Sequence, residues 1–299
     1  MENNSGDIRG DRTYPTYARE FKTYRWYRPI ITAAVFSAVY AVLLILTMYT
    51  ILGLPQEGMH LTYEALDFRD LRLAAFVLST MAVAIPALMI ASRIVKDRPF
   101  SSYSSSRGGW RMKVFWVCLL AAALTELVPK ILLHISENSI MPENELSLIA
   151  LMIIIVLGSL QSVAEEYIFR GIFMQTLGAW LKLPVLAVII QALVFAVRHS
   201  YDFTGTITVV ISGLSFGLAA YITNGLEAPA AMHIAGNVSA FYFVAAGLTS
   251  VSGNVSVFTL VYTLCTNAAF IIILMIIKKK TSLFDKVERD DLKIWNDSH

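Results

Sequence analysis

The chain has 299 residues, 56% of them hydrophobic and 15% charged, with a mean hydropathy of +0.61. Soluble domains carry about 25% charged residues, so this composition excludes an ordinary soluble globular fold. A net charge of +2 gives no footing for a polyanionic partner, and no nucleic acid is expected.

Taken in chain order, residues 1–29 are polar and basic, with Arg9, Arg12, Arg19, Lys22, Arg25 and Arg28 and no early apolar core of a cleavable secretory signal. Apolar runs follow that approach the roughly 20 residues needed to cross a bilayer. They are Ile30–Leu52, Leu71–Ser92, Val114–Ile135, Leu146–Gln161 with a helical extension to a turn near Gly178, the short Pro184–Val197, Thr206–Thr223, Ala228–Gly247 and Val255–Ile277. The expectation is an all-α polytopic transmembrane helical bundle of about eight spans. It divides into a basic N-terminal segment (1–29), N-terminal spans (30–140), a membrane core (146–247), a last span (255–277) and a tail (278–299).

Basic residues Arg93, Lys96, Arg98, Arg107, Arg111 and Lys278 to Lys280 fall on one set of connections, and Glu57, Glu64, Asp67, Asp70, Glu137, Glu143 and Glu145 on the other. By the positive-inside rule both termini are cytoplasmic, in a multi-pass protein of the cell membrane. Tyr24, Trp26, Tyr27 and Trp110 read as interfacial anchors, Ser101–Ser106 as a flexible loop and the last residues as a solvated tail. Cys118 and Cys265 lie in apolar runs and read as buried hydrophobes, not as a disulfide framework.

Charges inside spans are costly and mark function by default. In Glu165-Glu166-Tyr167-Ile168-Phe169-Arg170 the adjacent glutamates point about 100° apart on a helix, so they cannot share one role. Glu166 and Arg170, four apart, pair on one face and leave Glu165 free to face a cavity; a surface ion pair at the end of a span is the plainer alternative. His199 closes a second cluster, alternatively read as an interfacial histidine, and His233 and Asn237 share one face of an apolar helix, alternatively as interhelical hydrogen-bonding glue. Glu126 and Lys130, flanking Pro129, read as a structural pair at a kink, and His60 and His134 as interfacial residues.

Together, Glu165-Glu166-x-x-x-Arg170, Phe195-x-x-x-His199 and His233-x-x-x-Asn237 resemble the three signature motifs of the CAAX prenyl endopeptidase and bacteriocin-processing family, the type II CAAX or Abi proteases. They stand in the family's order, Arg170-Gly171 fits its usual Arg-Gly step, and the resemblance covers about Leu146 to Ala246. It implies an intramembrane endopeptidase acting on membrane-associated or lipidated peptide or protein substrates within the lipid bilayer, with Glu165, Glu166, Arg170, His199, His233 and Asn237 as site residues.

The same residues support a mechanism. Desolvation favours the protonated form of Glu165, which suits a general base near neutral pH. His199 shares the activation of water, His233 and Asn237 donate to the oxyanion, and Glu166 paired to Arg170 holds the register. No cofactor is expected on this reading. The alternative is zinc, with Glu165, His199 and His233 as ligands, a nitrogen–oxygen set that suits a catalytic site. At 1.5 Å per residue, Glu165 and His199 lie about 20 and 23 Å from the connection between their helices, so they meet in an antiparallel hairpin. A fully spanning sixth segment, however, puts His199 and His233 near opposite ends.

Two other functions compete. A membrane scaffold or bacteriocin self-immunity protein would act without proteolysis, and the intact motif set argues against it. A transporter with a Glu/His proton relay would need paired helix breaks in two related halves, which the sequence lacks.

Overall fold

The computed structural model describes residues 13–53, 70–136, 146–249 and 253–299. They form a helical bundle without a strand among the described residues; a single isolated bridge joins Ser105 and Gly225. The basic residues Arg9 and Arg12, His60, Glu57, Glu64, Asp67, Glu137, Glu143 and Glu145 lie outside the described residues.

Among the described residues, six helices are long and apolar enough to cross a membrane: α1 Arg28–Ile51, α2 Leu71–Val95, α3 Met112–Ser136, α4 Leu148–Leu181, α6 Phe203–Thr223 and α8 Val257–Lys280. Between them stand α5 Pro184–Val197 and α7 Glu227–Ala245. Of the eight expected spans, six meet that description among the described residues, and α5 and α7 do not. With 14 residues, α5 extends only about 21 Å, short of a hydrocarbon core of about 30 Å. The 19 residues of α7 are long enough, but Glu227, His233, Asn237 and its many small residues leave it less apolar than the six. Large apolar side chains including Leu46, Leu120, Leu124, Ile155, Leu264 and Ile272 are exposed on the outer faces, as a lipid environment requires. This is a multi-pass membrane protein.

Helix α4 runs to Leu181 and ends at Lys182, whose φ of 60° is left-handed. The turn expected near Gly178 is thus four residues later. Gly178 serves close approach instead: a Cβ there would collide with the carbonyl of Pro15, in the 3-10 helix Tyr14–Glu20 that packs against α4.

The segments expected to be flexible or solvated fold into a polar cap at one end of the bundle. Ser102, Ser104, Ser105 and Ser106 are buried. The Leu226 amide donates to the Ser104 carbonyl at 2.8 Å, and Ser105 Oγ and the Ser106 amide donate to the Asn224 carbonyl at 2.9 and 3.0 Å. These serines satisfy the backbone groups left open where α6 ends and α7 begins. Leu292 of the tail helix α9, Asp291–Ser298, packs with Tyr17 and Phe21. Burial pushes the Tyr103 phenol well above its usual range, so it stays protonated and donates to Asp97 Oδ2 at 3.2 Å, while the Arg98 guanidinium lies 3.7 Å over its ring. Trp110, expected at the interface, packs inside against Phe115 and Tyr167. Trp26 and Tyr27 remain exposed beside the start of α1, consistent with anchors.

At the centre of the cap, Arg111 and Glu227 are almost wholly buried and joined at 2.9 Å. The Arg111 amide and Nε donate to Glu227 Oε1, and Nη1 and Nη2 donate to the carbonyls of Phe284 and Thr223. The pair clamps the first turn of α7, which carries His233 and Asn237, to the loop before α3 and to the tail. Removing one partner of a buried pair costs about 3–5 kcal/mol, because the other charge is left uncompensated. Arg111→Ala is expected to lower stability by that amount and Arg111→Lys to recover only part of it, read by thermal unfolding in detergent; an unchanged unfolding midpoint for Arg111→Ala would contradict the clamp.

Candidate active site

Glu165 and Glu166 occupy the last regular turn of α4, directly before a π-helical stretch, Tyr167–Met174. Such widened turns recur at functional sites because they re-aim side chains. The offset between the two glutamates separates them as the sequence suggests. Glu165 lines a cavity of about 260 Å³, whereas Glu166 points behind it into the bundle and is fully buried.

Glu166 Oε1 accepts from Arg170 Nη1 at 3.0 Å and from His233 Nδ1 at 2.7 Å. Arg170, also fully buried, lies 4.6 Å from the Phe195 ring centroid and 5.0 Å from that of Phe216, and its Nη2 donates to the Gly213 carbonyl at 3.2 Å. The same carbonyl accepts from Gln191 Nε2 at 2.8 Å. Gly213 faces Ala192 of α5, where a Cβ would come within 3.1 Å of the alanine Cβ. Its missing side chain allows α5 and α6 the close approach that closes the aromatic box around the guanidinium.

The cavity is lined by Glu165, His199, His233 and Asn237, together with Gln161 and Glu126. All four groups expected to face it do so, and Glu166 and Arg170 form the layer behind. His233 presents Nδ1 to Glu166 and Nε2 towards Glu165 Oε2, 3.8 Å away. That gap exceeds hydrogen-bond range but lets an oxygen seated over the pair touch both. With Nδ1–H given to a carboxylate that also faces Arg170, the neutral ring offers an acceptor at Nε2. His199 Nδ1 donates to the Phe195 carbonyl at 2.8 Å, which likewise leaves Nε2 as the free acceptor.

Asn237 Nδ2 donates to Gln161 Oε1 at 3.0 Å, and Gln161 Nε2 donates to Glu165 Oε1. Gln161 was not singled out in the sequence. Its signal is its position one turn before Glu165 in an apolar helix. Glu126 also departs from expectation: it lines the cavity, while Lys130 Nζ donates to Ser239 Oγ at 3.0 Å and interacts with Glu126 only at longer range. His134, read as interfacial, is buried with its ring centroid 4.2 Å from that of Phe243. The depth conflict between His199 and His233 dissolves because α5 is short and Phe195 bridges the interval; its ring lies 4.8 Å from His199 and 6.1 Å from His233. Among the described residues no group of three His, Cys, Asp or Glu side chains is placed to hold a metal ion.

Residues 147–239 match the family model described as type II CAAX prenyl endopeptidase Rce1-like. The match begins with α4 and extends past Asn237, so the matched segment contains Gln161, Glu165, Glu166, Arg170, His199, His233 and Asn237, whereas Glu126 lies outside it. An uncharacterized protein of Bacillus subtilis (strain 168), YyaK, is 27% identical over 191 residues, covering 59% of this chain and 62% of that protein. The chain thus spans about three fifths of that relative's length. No solved structure matches.

The two glutamates should separate by stability. Glu166→Gln leaves Arg170 buried without a countercharge, at a cost of about 3–5 kcal/mol. Glu165→Gln keeps a hydrogen bond to neutral Gln161 and is expected to cost less than about 1 kcal/mol. Thermal unfolding of both variants in detergent checks this; equal loss in the two would refute the division of roles.

Proposed function

We propose that this chain is an intramembrane endopeptidase that hydrolyses peptide bonds of membrane-associated substrates, with both termini on the cytoplasmic side. The reading rests on one observation above all: Glu165, His199, His233 and Asn237 face a single cavity within the Rce1-like stretch. A water seated beside Glu165 gives a proton to the carboxylate or to His199 Nε2 as its oxygen bonds to the scissile carbonyl carbon. Both acceptors face the cavity with a free lone pair, which is the geometry a general base requires.

The carbonyl oxygen then carries the negative charge of a tetrahedral intermediate. Asn237 spends one Nδ2–H on Gln161 and retains the other for that oxygen. The proton taken from water passes from Glu165 to His233 Nε2, 3.8 Å away, which makes a second donor, and the charge of the resulting imidazolium is met by Glu166 across the 2.7 Å hydrogen bond until that proton goes on to the leaving amine. Collapse of the intermediate breaks the C–N bond, and the proton taken from water leaves on the amine. Glu166 and Arg170 act as positioning residues. No step is routed through a metal.

Cleavage of a membrane-spanning reporter peptide in proteoliposomes tests the assignment. Glu165→Gln and His199→Ala are expected to abolish turnover, and Asn237→Ala to slow it by about 10²–10³, the usual loss for one oxyanion donor. A chelator is expected to leave the rate unchanged. Turnover that survives Glu165→Gln, or no cleavage by the intact protein of any membrane peptide, would overturn the assignment. Loss on chelation with recovery on adding zinc would overturn the mechanism alone.

A further inference from the structure

The cavity contains a second carboxylate that the mechanism does not use. Glu126 sits in a π-helical turn, Ala123–Leu127, inside the third spanning helix. Its backbone carbonyl accepts from Tyr262 Oη at 2.7 Å, which stabilises the widened turn. The one basic group a turn away, Lys130, is committed to Ser239. Among the described residues the Glu126 carboxylate makes no hydrogen bond or ion pair, although it lies within a span and lines the cavity.

The cavity-lining groups beside it on α6 and α8 are neutral: Ser212, Thr263 and Asn267, with Asn267 Nδ2 donating to Ser212 Oγ at 3.5 Å. A carboxylate in a membrane span normally faces a partner, because leaving it unpaired in a low-dielectric setting is expensive. Here the open side is the cavity itself. Glu165, the acidic group of the proposed chemistry, already has Gln161 and His233 as neighbours; among the described residues Glu126 makes no such contact, and Lys130 acts on it only by longer-range attraction.

We propose that Glu126 is a specificity residue that receives a cationic side chain of the substrate, a lysine or arginine close to the scissile bond, with Ser212, Thr263 and Asn267 as neutral hydrogen-bonding surroundings. The proposal rests on the peptidase reading of the same cavity. It explains why a carboxylate that makes no hydrogen bond or ion pair among the described residues is kept among the helices: the bound peptide supplies a closer counterion than Lys130. A site with an acidic group and neutral donors and acceptors disfavours an acidic side chain at that position and leaves an apolar one without its main attraction.

The test uses full-length protein in proteoliposomes and apolar transmembrane reporter peptides with a single lysine moved one position at a time, beside a matched series with norleucine. For wild type, one lysine position is expected to be cleaved with kcat/KM at least about tenfold above its norleucine match, equivalent to about 1.4 kcal/mol. Glu126→Gln is expected to erase that preference while leaving norleucine peptides unchanged, Glu126→Asp to retain part of it, and Glu126→Lys to favour a glutamate at the same position. A preference that survives Glu126→Gln overturns the proposal, as does an equal loss on both series, which would make Glu126 part of the general machinery or of the fold. Absence of any lysine preference in wild type overturns it too. If no peptide is cleaved, the peptidase reading fails separately, and binding of the same fluorescent peptide pairs to wild type and Glu126→Gln decides this proposal: a lysine preference lost in the variant supports it, and equal binding overturns it.

Discussion

The carboxylate of Glu166 is the point on which the site depends. One oxygen receives both the Arg170 guanidinium and the His233 ring, in a place from which water is excluded. A lone carboxylate or guanidinium there would be prohibitively costly; together, hydrogen-bonded and enclosed by aromatic faces, each lowers the cost of the other. The arrangement binds α4 to α7 through His233 and to α6 through the Gly213 carbonyl. Three helices are thereby held in mutual register by polar contacts in a region where apolar packing between helices has little directional preference.

That constraint determines the chemistry in front of it. Because Glu166 occupies His233 Nδ1, the opposite ring nitrogen must face the cavity and Glu165. Because Gln161 joins Glu165 to Asn237, the acidic group and the amide stand in one connected network across α4 and α7. The site is thus built of a buried charged layer that orients and an exposed layer that can react. The same logic recurs at the end of the bundle, where Arg111 and Glu227 lock the start of α7 to the loop before α3 and to the tail. Charged groups in this protein fix the positions of helices whose outer surfaces are uniformly apolar.

Much of this was legible in the residues. Apolar runs announced helices because a bilayer leaves the backbone few other ways to satisfy its hydrogen bonds. The i, i+4 spacing of Glu166 with Arg170 implied their pairing, since helix geometry is local. The serines of residues 101–106 misled, because composition reports polarity but not whether a polar group finds an internal partner. Those serines meet the open backbone groups at the junction of α6 and α7, a junction more than a hundred residues away. Lys130 likewise has the correct spacing for Glu126 but finds Ser239 on another helix.

The sequence by itself determined that this is a helical membrane protein and which polar groups within its apolar segments share a helix face, because both follow from local hydrophobicity and a 3.6-residue period. It carried the motifs that align residues 147–239 with an Rce1-like endopeptidase. Only the tertiary structure decided that α5 stops short, that His199 and His233 line one cavity despite their separation along the chain, and that Glu126 joins them. Those outcomes depend on how helices approach and rotate against one another, as at Gly213 and in the π-helical turns, and contacts between distant segments leave no periodic trace in a single sequence.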